Sequence, residues 1–429
     1  MKIRCLGLRK MNIPMTEPKT DVRYFLPGEE AELTSPKKVI EENDLIIKSP
    51  KRQKVICPIF HTCGGCDFLH IVYDEQIKMK EKYLSDLFKS LQYQPKITVL
   101  SNPKPLHYRH KVVLSATMVK TQLRLGLYRD QSKEVIPFLS CYLHDEQTNQ
   151  ILKTIEDALN QYKIKAYDVE TKQGIFKHVF IRKSFHDHTL MVVLVTQGHI
   201  LPHVKDIIAQ IREKHPQVTT IMQNIHRKNT RLVLLEEEKI LYGSGFIFDR
   251  IDDLQFRLSA RSFYQINPLQ MMKLYQHAIE LLNISTRDII FDTYSGIGTL
   301  SLLAAQKAKQ VIAIESNVKA HQDALANRKM NQIDNVTFVH DDVEGFMMHY
   351  QGSVDGLIMD PTREGASPRF LNAVMKLRPK RIVYISCEPE TQVRDLAQLA
   401  KFYKIEHVMG VDMFSNTVHV ESISLLLLK

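Results

Sequence analysis

The last third of the chain alternates short β-branched runs with amphipathic segments, and this alternation restricts the possible folds more than any other feature. From about residue 287 the sequence reads DIIFDTYSGIG, TLSLLAAQKA, QVIAIES, NVKAHQDALANRKMNQ and VTFVHDD, and the pattern continues to the C-terminus. Strands that alternate with helices predict a doubly wound α/β sheet. Only FSNTV separates the last two predicted strands, which leaves no room for a crossover helix, so we expect an antiparallel C-terminal hairpin.

The rest of the chain predicts two further domains. Residues 1–50 contain turn signals and no long helical period, which indicates a small β-rich domain. Residues 51–262 mix strand patterns with helical ones, including an amphipathic segment at 74–92, and predict an α+β central domain. Residues 263–429 then form the α/β domain. No apolar run approaches the roughly 18 residues that a membrane-spanning helix needs, and the first residues lack a signal-peptide core, so we expect a cytoplasmic protein without a membrane partner.

The charge of the chain is unevenly distributed. Residues 1–262 hold 41 basic and 30 acidic side chains, whereas residues 263–429 hold 17 and 18. A basic excess favours a polyanionic partner such as a nucleic acid, although a solvated lysine-rich surface is an equally good interpretation of charge alone. No feature of the sequence indicates an obligate protein partner.

A glycine-containing turn follows the first strand of the α/β domain. The segment FDTYSGIG places Gly296 and Gly298 between a strand and a helix, where glycine lets the backbone approach a ligand closely. Only GxG is present, and by itself such a turn is a weak signal. Glu315 ends the second strand roughly 20 residues later, at the position where an acidic side chain accepts hydrogen bonds from ribose hydroxyls. Together these residues favour a nucleoside-containing cofactor.

Three reactive side chains are predicted to meet at one edge of the sheet. Asp360 follows the fourth strand, Cys387 follows the fifth, and Glu421 begins the seventh. Ligands bind at the carboxyl edge of such sheets, so these groups would share one crevice. From residue type alone, a buried and inert Cys387 is an equally good interpretation.

Four other cysteines have spacings typical of metal ligands. Cys57, Cys63 and Cys66 form a Cx5CxxC pattern, and Cys141 lies 75 residues further along the chain. Six cysteines in 429 residues argue against a secreted disulfide framework. Four soft thiolates suit either an iron–sulfur cluster or zinc, and the spacing does not choose between them.

Five motifs in this order, SFYQIN, DTYSGIG, MDPTREG, YISCEPETQVRDL and HVES, resemble the S-adenosylmethionine-dependent RNA uracil-5-methyltransferase family. The resemblance extends upstream to about residue 50 through CPIFHTCGGCDFLH and HYRHKVVLS. It implies a Rossmann-like class I methyltransferase domain at 263–429 and, more loosely, a degenerate TRAM or OB-like β-barrel at 1–50. It also favours a [4Fe-4S] cluster over zinc at the four cysteines, and 23S ribosomal RNA over transfer RNA as the substrate.

The resemblance also implies roles for individual residues. The thiolate of Cys387 would add to C6 of uracil, because C5 is too weak a nucleophile to take a methyl group directly, and Glu421 would remove the C5 proton. Arg363 would support the loop after Asp360. The residues implied in cofactor binding are Gln265, Tyr294, Gly296, Gly298, Glu315 and Asp360.

The sequence departs from the family pattern in ways that bear on activity. Thr362 replaces a proline, and Glu388 replaces the residue that usually follows the nucleophile; an inward-pointing Glu388 would raise the pKa of Cys387. A non-catalytic iron–sulfur RNA-binding protein is therefore an alternative, as is a methyltransferase for transfer RNA. Basic and aromatic residues of the central domain are expected to contact RNA: His107, Tyr108, Arg109, His110, Lys111, Arg129, Lys177, His178 and Arg182.

Overall fold

The N-terminal part of the chain forms a small antiparallel sheet. The structure, a computed structural model, describes residues 1–35, 38–129, 132–230 and 232–429. The N-terminal sheet has the strand order β2-β1-β3-β4 and packs over Ile3, Phe25 and Ile40. Its β-rich character is as predicted, whereas closure into a TRAM-like barrel stays a prediction. Its strands are β1 (Lys2–Arg9), β2 (Ile13–Glu17), β3 (Glu30–Glu32) and β4 (Leu45–Ile47), with a short 3-10 helix at Glu42–Asp44 before β4.

The next two elements pack with the C-terminal sheet. Helix α1 (Tyr73–Phe88), with a 3-10 turn at Lys89–Leu91, and strand β5 (Val99–Leu100) lie within the predicted central domain in sequence. In space, Leu84 and Phe88 of α1 belong to the hydrophobic core of the C-terminal sheet. Strand β5 pairs in parallel with a strand of that sheet. The predicted domain boundaries remain a prediction, but these two elements pack with the α/β domain.

The central part of the chain forms a mixed sheet covered on one face by helices. The central sheet has the order β12-β11-β10-β9-β6-β7-β8, and the apolar sides of α2 and α3 pack against it. This arrangement agrees with the predicted α+β class. The elements are β6 (Lys111–Val119), β7 (Gln122–Tyr128), β8 (Val135–Pro137), α2 (Glu146–Gln161), β9 (Phe176–Lys183), β10 (Leu190–Thr196), α3 (Val204–Lys214), β11 (Val218–Ile225) and β12 (Glu238–Tyr242).

A hairpin of β13 (Phe246–Ile251) and β14 (Leu254–Ser259) joins the central sheet to the rest of the chain. Phe256 of the hairpin shares one hydrophobic core with Met191 of the central sheet and Leu302 of the following domain. The two larger sheets are therefore packed through a common core.

The C-terminal sheet has the order β17-β16-β15-β18-β19-β21-β20-β5. Its first five strands are parallel, and β21 runs antiparallel between β19 and β20, which confirms the expected C-terminal hairpin. Among the described residues, none of the helices combines the length and apolar character needed to cross a membrane. The elements are α4 (Pro268–Leu282), β15 (Ile289–Thr293), α5 (Thr299–Ala305), β16 (Gln310–Glu315), α6 (Val318–Met330), β17 (Val336–His340), α7 (Val343–His349), β18 (Gly356–Met359), α8 (Pro368–Leu377), β19 (Arg381–Ser386), α9 (Pro389–Leu399), β20 (Tyr403–Val411) and β21 (Glu421–Leu428).

Candidate active site

The topology of the C-terminal sheet brings three predicted residues to one edge. Asp360 directly follows β18 and Cys387 directly follows the neighbouring parallel strand β19. Because β21 runs antiparallel to β19, its first residue, Glu421, lies at the same edge, one position beyond the Ser386–Ser422 pair. The thiol and the two carboxyl groups are close enough to influence one another electrostatically.

The two carboxyl groups sit where their charged forms are disfavoured. Glu421 is 2% exposed, and burial, followed by the nearby charge of Asp360, raises its pKa to about 8. Burial and then the neighbouring Asp292 raise the pKa of Asp360 to about 7. Carboxyl groups that titrate near neutral pH can exchange protons with a substrate under physiological conditions.

The thiol of Cys387 is also held in its neutral form. Burial raises its pKa to about 11, with further contributions from the carboxylates of Glu421 and Asp360. Arg363 opposes this shift, because its positive charge favours the thiolate and lowers the pKa of the thiol. Glu388, which the sequence suggested as the opposing acid, is not among the groups that contribute most to this shift; it precedes Pro389 at the start of α9.

The loop that carries Arg363 is fixed against α9. Gly365 has φ +77°, and a Cβ there would lie within 2.7 Å of Asp395, so the loop approaches the helix too closely for a side chain. Asp395 is buried and accepts hydrogen bonds from Ala366 N (2.7 Å) and from the hydroxyl of Tyr384 (2.7 Å). These contacts define where Arg363 can reach.

The glycine turn lies beside Glu315, as the sequence predicted. Tyr294, Gly296 and Gly298 all have positive φ values, of 61°, 57° and 83°. A Cβ at Gly298 would approach the ring of Phe338 to 2.5 Å, so only glycine fits there. The carboxylate of Glu315 accepts a hydrogen bond from Gly296 N (2.9 Å), which joins the turn to the end of β16. No atom lies within 4 Å of the place that a Cβ of Gly296 would take, so the turn is open at that residue.

Tyr275 of α4 is part of the site, although sequence reasoning missed it. Its side chain is buried, and the carboxyl groups of Asp360 and Glu421 contribute, after burial, to raising its pKa, whereas the side chain of Gln265 lowers it. In the segment MMKLYQHAIELL its position is typical of a core residue, so no local signal marks it. Asp292, which accepts a hydrogen bond from Ser301, borders the same group.

The four cysteines outside this site line a single cavity. Cys57, Cys63, Cys66 and Cys141 surround it, together with the guanidinium group of Arg109 and apolar side chains. Burial raises the pKa of Cys66 most strongly. In the part of the chain that the structure describes, no three Cys, His, Asp or Glu side chains are grouped as ligands of one metal ion. The thiols therefore share a cavity without converging on one ion position.

Arg109, which lines this cavity, has a side-chain nitrogen without a hydrogen-bond partner among the described residues. Its Nη2 donates to Gly65 O (3.3 Å), but its buried Nε lacks a hydrogen-bond partner among the described residues. A buried donor without a partner costs free energy, and an anionic group in the cavity would satisfy it. The residues present thus fit a negatively charged, thiolate-bound group.

Two of the residues expected to contact RNA are instead structural. Tyr108 is buried and donates its hydroxyl to Ser415 O (3.0 Å). Arg182 is 3% exposed and donates hydrogen bonds to the carbonyl oxygens of Ser259 and Ser262. Its guanidinium group is therefore bound within the protein and does not face RNA. The RNA prediction was wrong for these two side chains. Lys111 is half-buried, with its ammonium group 5.7 Å from the ring centroid of the exposed Phe263, and burial lowers its pKa to about 8.

The sequence matches one family model and is similar to bacterial RNA methyltransferases. The model of a family described as tRNA (Uracil-5-)-methyltransferase matches residues 72–429. RNA methyltransferases described as uncharacterized are similar: that of Halalkalibacterium halodurans is 35% identical over 393 residues, covering 90% of this chain and 86% of its own. That of Oceanobacillus iheyensis is 35% identical over 425 residues, covering 95% and 91%.

A solved structure shares the whole fold. The Pyrococcus abyssi tRNA (uracil-54, C5)-methyltransferase, crystallised in complex with S-adenosyl-L-homocysteine, superimposes with a TM-score of 0.80 at 24% identity, covering 100% of this chain and 99% of that one. The expected class I α/β fold is thereby confirmed.

Proposed function

Because this chain belongs to the tRNA (uracil-5-)-methyltransferase family, we propose that it methylates C5 of a specific uridine in 23S ribosomal RNA through a covalent adduct with Cys387. The chain is an S-adenosylmethionine-dependent RNA (uracil-5-)-methyltransferase. The target RNA, the covalent route and the group held by the four cysteines are the proposed parts.

The proposed mechanism rests on three side chains that lie close together. The thiol of Cys387 and the carboxyl groups of Glu421 and Asp360 lie together at the carboxyl edge of the C-terminal sheet. S-adenosylmethionine supplies an electrophilic methyl group. Glu315 and the glycine turn would hold its nucleoside, with Gln265, Tyr294 and Asp360 as further contacts, because positive φ values at the turn give the backbone the required space.

The chemistry divides between the thiol and the carboxylate. The sulfur of Cys387, as thiolate, forms a bond to C6 of uracil, and the electron pair of the C5=C6 bond makes C5 nucleophilic. After C5 has been methylated, Glu421 as carboxylate takes the C5 proton, the double bond reforms, and the C6–S bond breaks. The positive charge of Arg363, which lowers the pKa of Cys387, stabilises the thiolate.

The four cysteines would hold a [4Fe-4S] cluster in this proposal. Support comes from the shared cavity and from the unpartnered Nε of Arg109. A single zinc ion is the alternative, since four thiolates also suit tetrahedral zinc, and the resemblance to the family favours the cluster. The proposed methyl transfer moves no electrons, so the cluster would tie chain segments together.

A transfer RNA substrate is the second candidate. The description of the matching family model names transfer RNA, and the similar solved structure is that of a tRNA (uracil-54, C5)-methyltransferase. The four cysteines favour 23S ribosomal RNA, by their resemblance to the ribosomal branch of the family. The expected cytoplasmic location follows from either substrate and is part of the proposal.

Nucleoside mass spectrometry separates these possibilities. Protein purified without oxygen would be incubated with S-adenosylmethionine and, in parallel, with unmodified 23S ribosomal RNA or transfer RNA. We expect 5-methyluridine in the ribosomal RNA only, and none with Cys387→Ala. Product only in transfer RNA would overturn the substrate proposal. RNA binding without product in either RNA would favour a non-catalytic RNA-binding protein.

A further inference from the structure

The loop that precedes Glu421 is held by residues distant from it in sequence. Residues 412–420, here called the base loop, connect β20 to β21. Asp67 N and Phe68 N both donate hydrogen bonds to Asn416 O, at 2.9 and 3.0 Å. The carboxylate of Asp67 accepts a further hydrogen bond from Val418 N (3.2 Å). Asp67 thus contacts the base loop through both its backbone and its side chain.

Other side chains hold the base loop at its first residue, Asp412, and at its middle residue, Asn416. Gln76 exchanges two hydrogen bonds with Asn416, each 3.1 Å long, and Lys80 pairs with Asp412. Val418 is three residues before Glu421, and Asp67 is the side chain that binds its backbone N–H. The loop itself is irregular, with Asn416 at φ +65°, so no ladder of strand hydrogen bonds fixes residues 413–420.

We propose that Asp67 is a positioning residue for the methyl-transfer reaction. By holding Val418 N, its carboxylate sets where β21 begins, and hence where the carboxyl group of Glu421 meets the substrate. Asp67 touches no reacting atom and acts only through the base loop. The inference rests on the proposed function, in which Glu421 removes the C5 proton.

The cysteine cavity and the base loop are contacted by the same short segments of the chain. Asp67 directly follows Cys66, and Tyr108, which donates to Ser415 O, directly precedes Arg109. Cys66 and Arg109 line the cysteine cavity. The same short segments therefore border the cavity on one side and hold the base loop on the other.

A displaced Glu421 has a distinctive chemical consequence. Addition of the Cys387 sulfur to C6 and methylation of C5 do not use Glu421, whereas removal of the C5 proton does. If the proton stays on C5, the double bond cannot reform and the C6–S bond cannot break. An enzyme with a misplaced Glu421 therefore accumulates methylated RNA attached to the protein, which a protein that is merely unstable does not.

The experiment compares variants of the full-length protein with labelled RNA on denaturing gels. In Asp67→Ala we expect a covalent protein–RNA band, and turnover to free 5-methyluridine reduced roughly ten- to hundredfold, the range for losing part of a general-base contribution. Asp67→Asn keeps an oxygen that accepts from Val418 N and should restore most turnover. Asp74→Ala removes an exposed aspartate seven residues away and should behave as wild type.

A second Asp67 variant and the Glu421→Gln variant separate a positioning role from a loss of folding and from failure of the proposed function. Asp67→Ser, too short to reach Val418 N, carries the test if the alanine variant does not fold, as judged by thermal unfolding. Wild-type turnover by a folded Asp67→Ala protein, or loss of turnover without an adduct, would overturn the proposal. If Glu421→Gln also forms no adduct and the wild type makes no 5-methyluridine, the proposed function itself fails instead.

Discussion

Two carboxyl groups oppose ionisation of the Cys387 thiol, and Arg363 favours it. Its pKa is raised to about 11 by burial and then by Glu421 and Asp360, and lowered again by Arg363. At neutral pH only a small fraction is thiolate, the form that reacts with electrophiles. Changing either partner should therefore change the reactivity of this cysteine in opposite directions.

We expect Arg363→Gln to slow alkylation of Cys387 and Glu421→Gln to accelerate it, each by roughly three- to tenfold, since one pKa unit changes the thiolate fraction tenfold. The measurement is the iodoacetamide labelling rate at pH 8, followed by mass spectrometry of the peptide that contains Cys387. Arg369→Gln, an exposed arginine on α8, is the matched control and should leave the rate unchanged. Equal rates in all variants would contradict the assigned contacts.

The pH dependence of methyl transfer follows from the same groups. Glu421, with its pKa raised to about 8, is protonated below that pH and cannot accept the C5 proton. The thiolate fraction of Cys387 also grows as pH rises toward 11. Both effects have the same sign, so kcat/KM should increase from pH 6 to pH 9. Measured rates of 5-methyluridine formation that peak below pH 7 would be inconsistent with these two roles.

A site residue could be predicted from the sequence when its place at a strand end was enough to locate it, and not when its role depends on partners far along the chain. Asp360, Cys387 and Glu421 could be placed together because each lies at a strand end, and the topology of a doubly wound sheet fixes where strand ends meet. Tyr275 and Asp67 could not be found this way. Tyr275 lies within an apolar helix, and Asp67 acts on a backbone about 350 residues further along the chain.

Helix α1 shows how an element can belong to a part of the molecule that its sequence position does not suggest. Lys80 of α1 is fully buried, and its ammonium group contacts Asp412 at 2.5 Å and Phe414 O at 3.2 Å. Asp412 also accepts hydrogen bonds from Tyr73 and Ser415, both at 2.6 Å. Removing one member of such a buried pair leaves an uncompensated charge.

Lys80→Met should accordingly lower the free energy of unfolding by about 3–5 kcal/mol. Urea denaturation followed by circular dichroism measures this change. The matched control is Lys82→Met on the same helix, which removes an exposed ion pair with Asp86 and should stay within about 0.5 kcal/mol of wild type. A comparable loss in both variants would mean that the effect comes from the helix and not from the buried pair.

The elements of the C-terminal sheet were predictable because periodicity is a local property, and the short FSNTV link required an antiparallel hairpin. The position of β21 between β19 and β20, and the addition of β5 at the sheet edge, are not local. Pairing of β5 with β20 depends on which edge the remaining chain leaves open. Sequence patterns alone gave no reason to move α1 and β5 out of the central domain.

At the scale of the whole molecule, charge and topology divide the chain between binding and chemistry. The basic excess lies in residues 1–262, whereas the candidate active site is built from residues 263–429, which are nearly neutral. Part of that basic excess is internal, since Arg182 and Lys80 are buried. Net charge therefore indicates a polyanionic partner but overstates the cations available to it.

The cysteine cavity makes a prediction for the whole chain, because Cys141 comes from a segment distant from Cys57, Cys63 and Cys66. A group bound to all four thiolates would close this long loop and favour the folded state by mass action. Protein purified without oxygen should contain iron and acid-labile sulfide in equal amounts, and chelation after air exposure should lower its Tm.

Two cysteine variants separate structural from chemical roles. Cys141→Ser should lose iron and lower the Tm even when no RNA is present, because one ligand of the proposed group is gone. Cys387→Ser is the matched control: its thiol lies outside the cavity, so iron content and Tm should match wild type while methyl transfer is lost. Zinc in place of iron would change the identity of the bound group, and full iron content in Cys141→Ser would remove Cys141 from the ligand set.

If iron loss also makes wild-type protein accumulate the covalent RNA adduct, the segments beside Cys66 transmit the state of the cavity to Glu421.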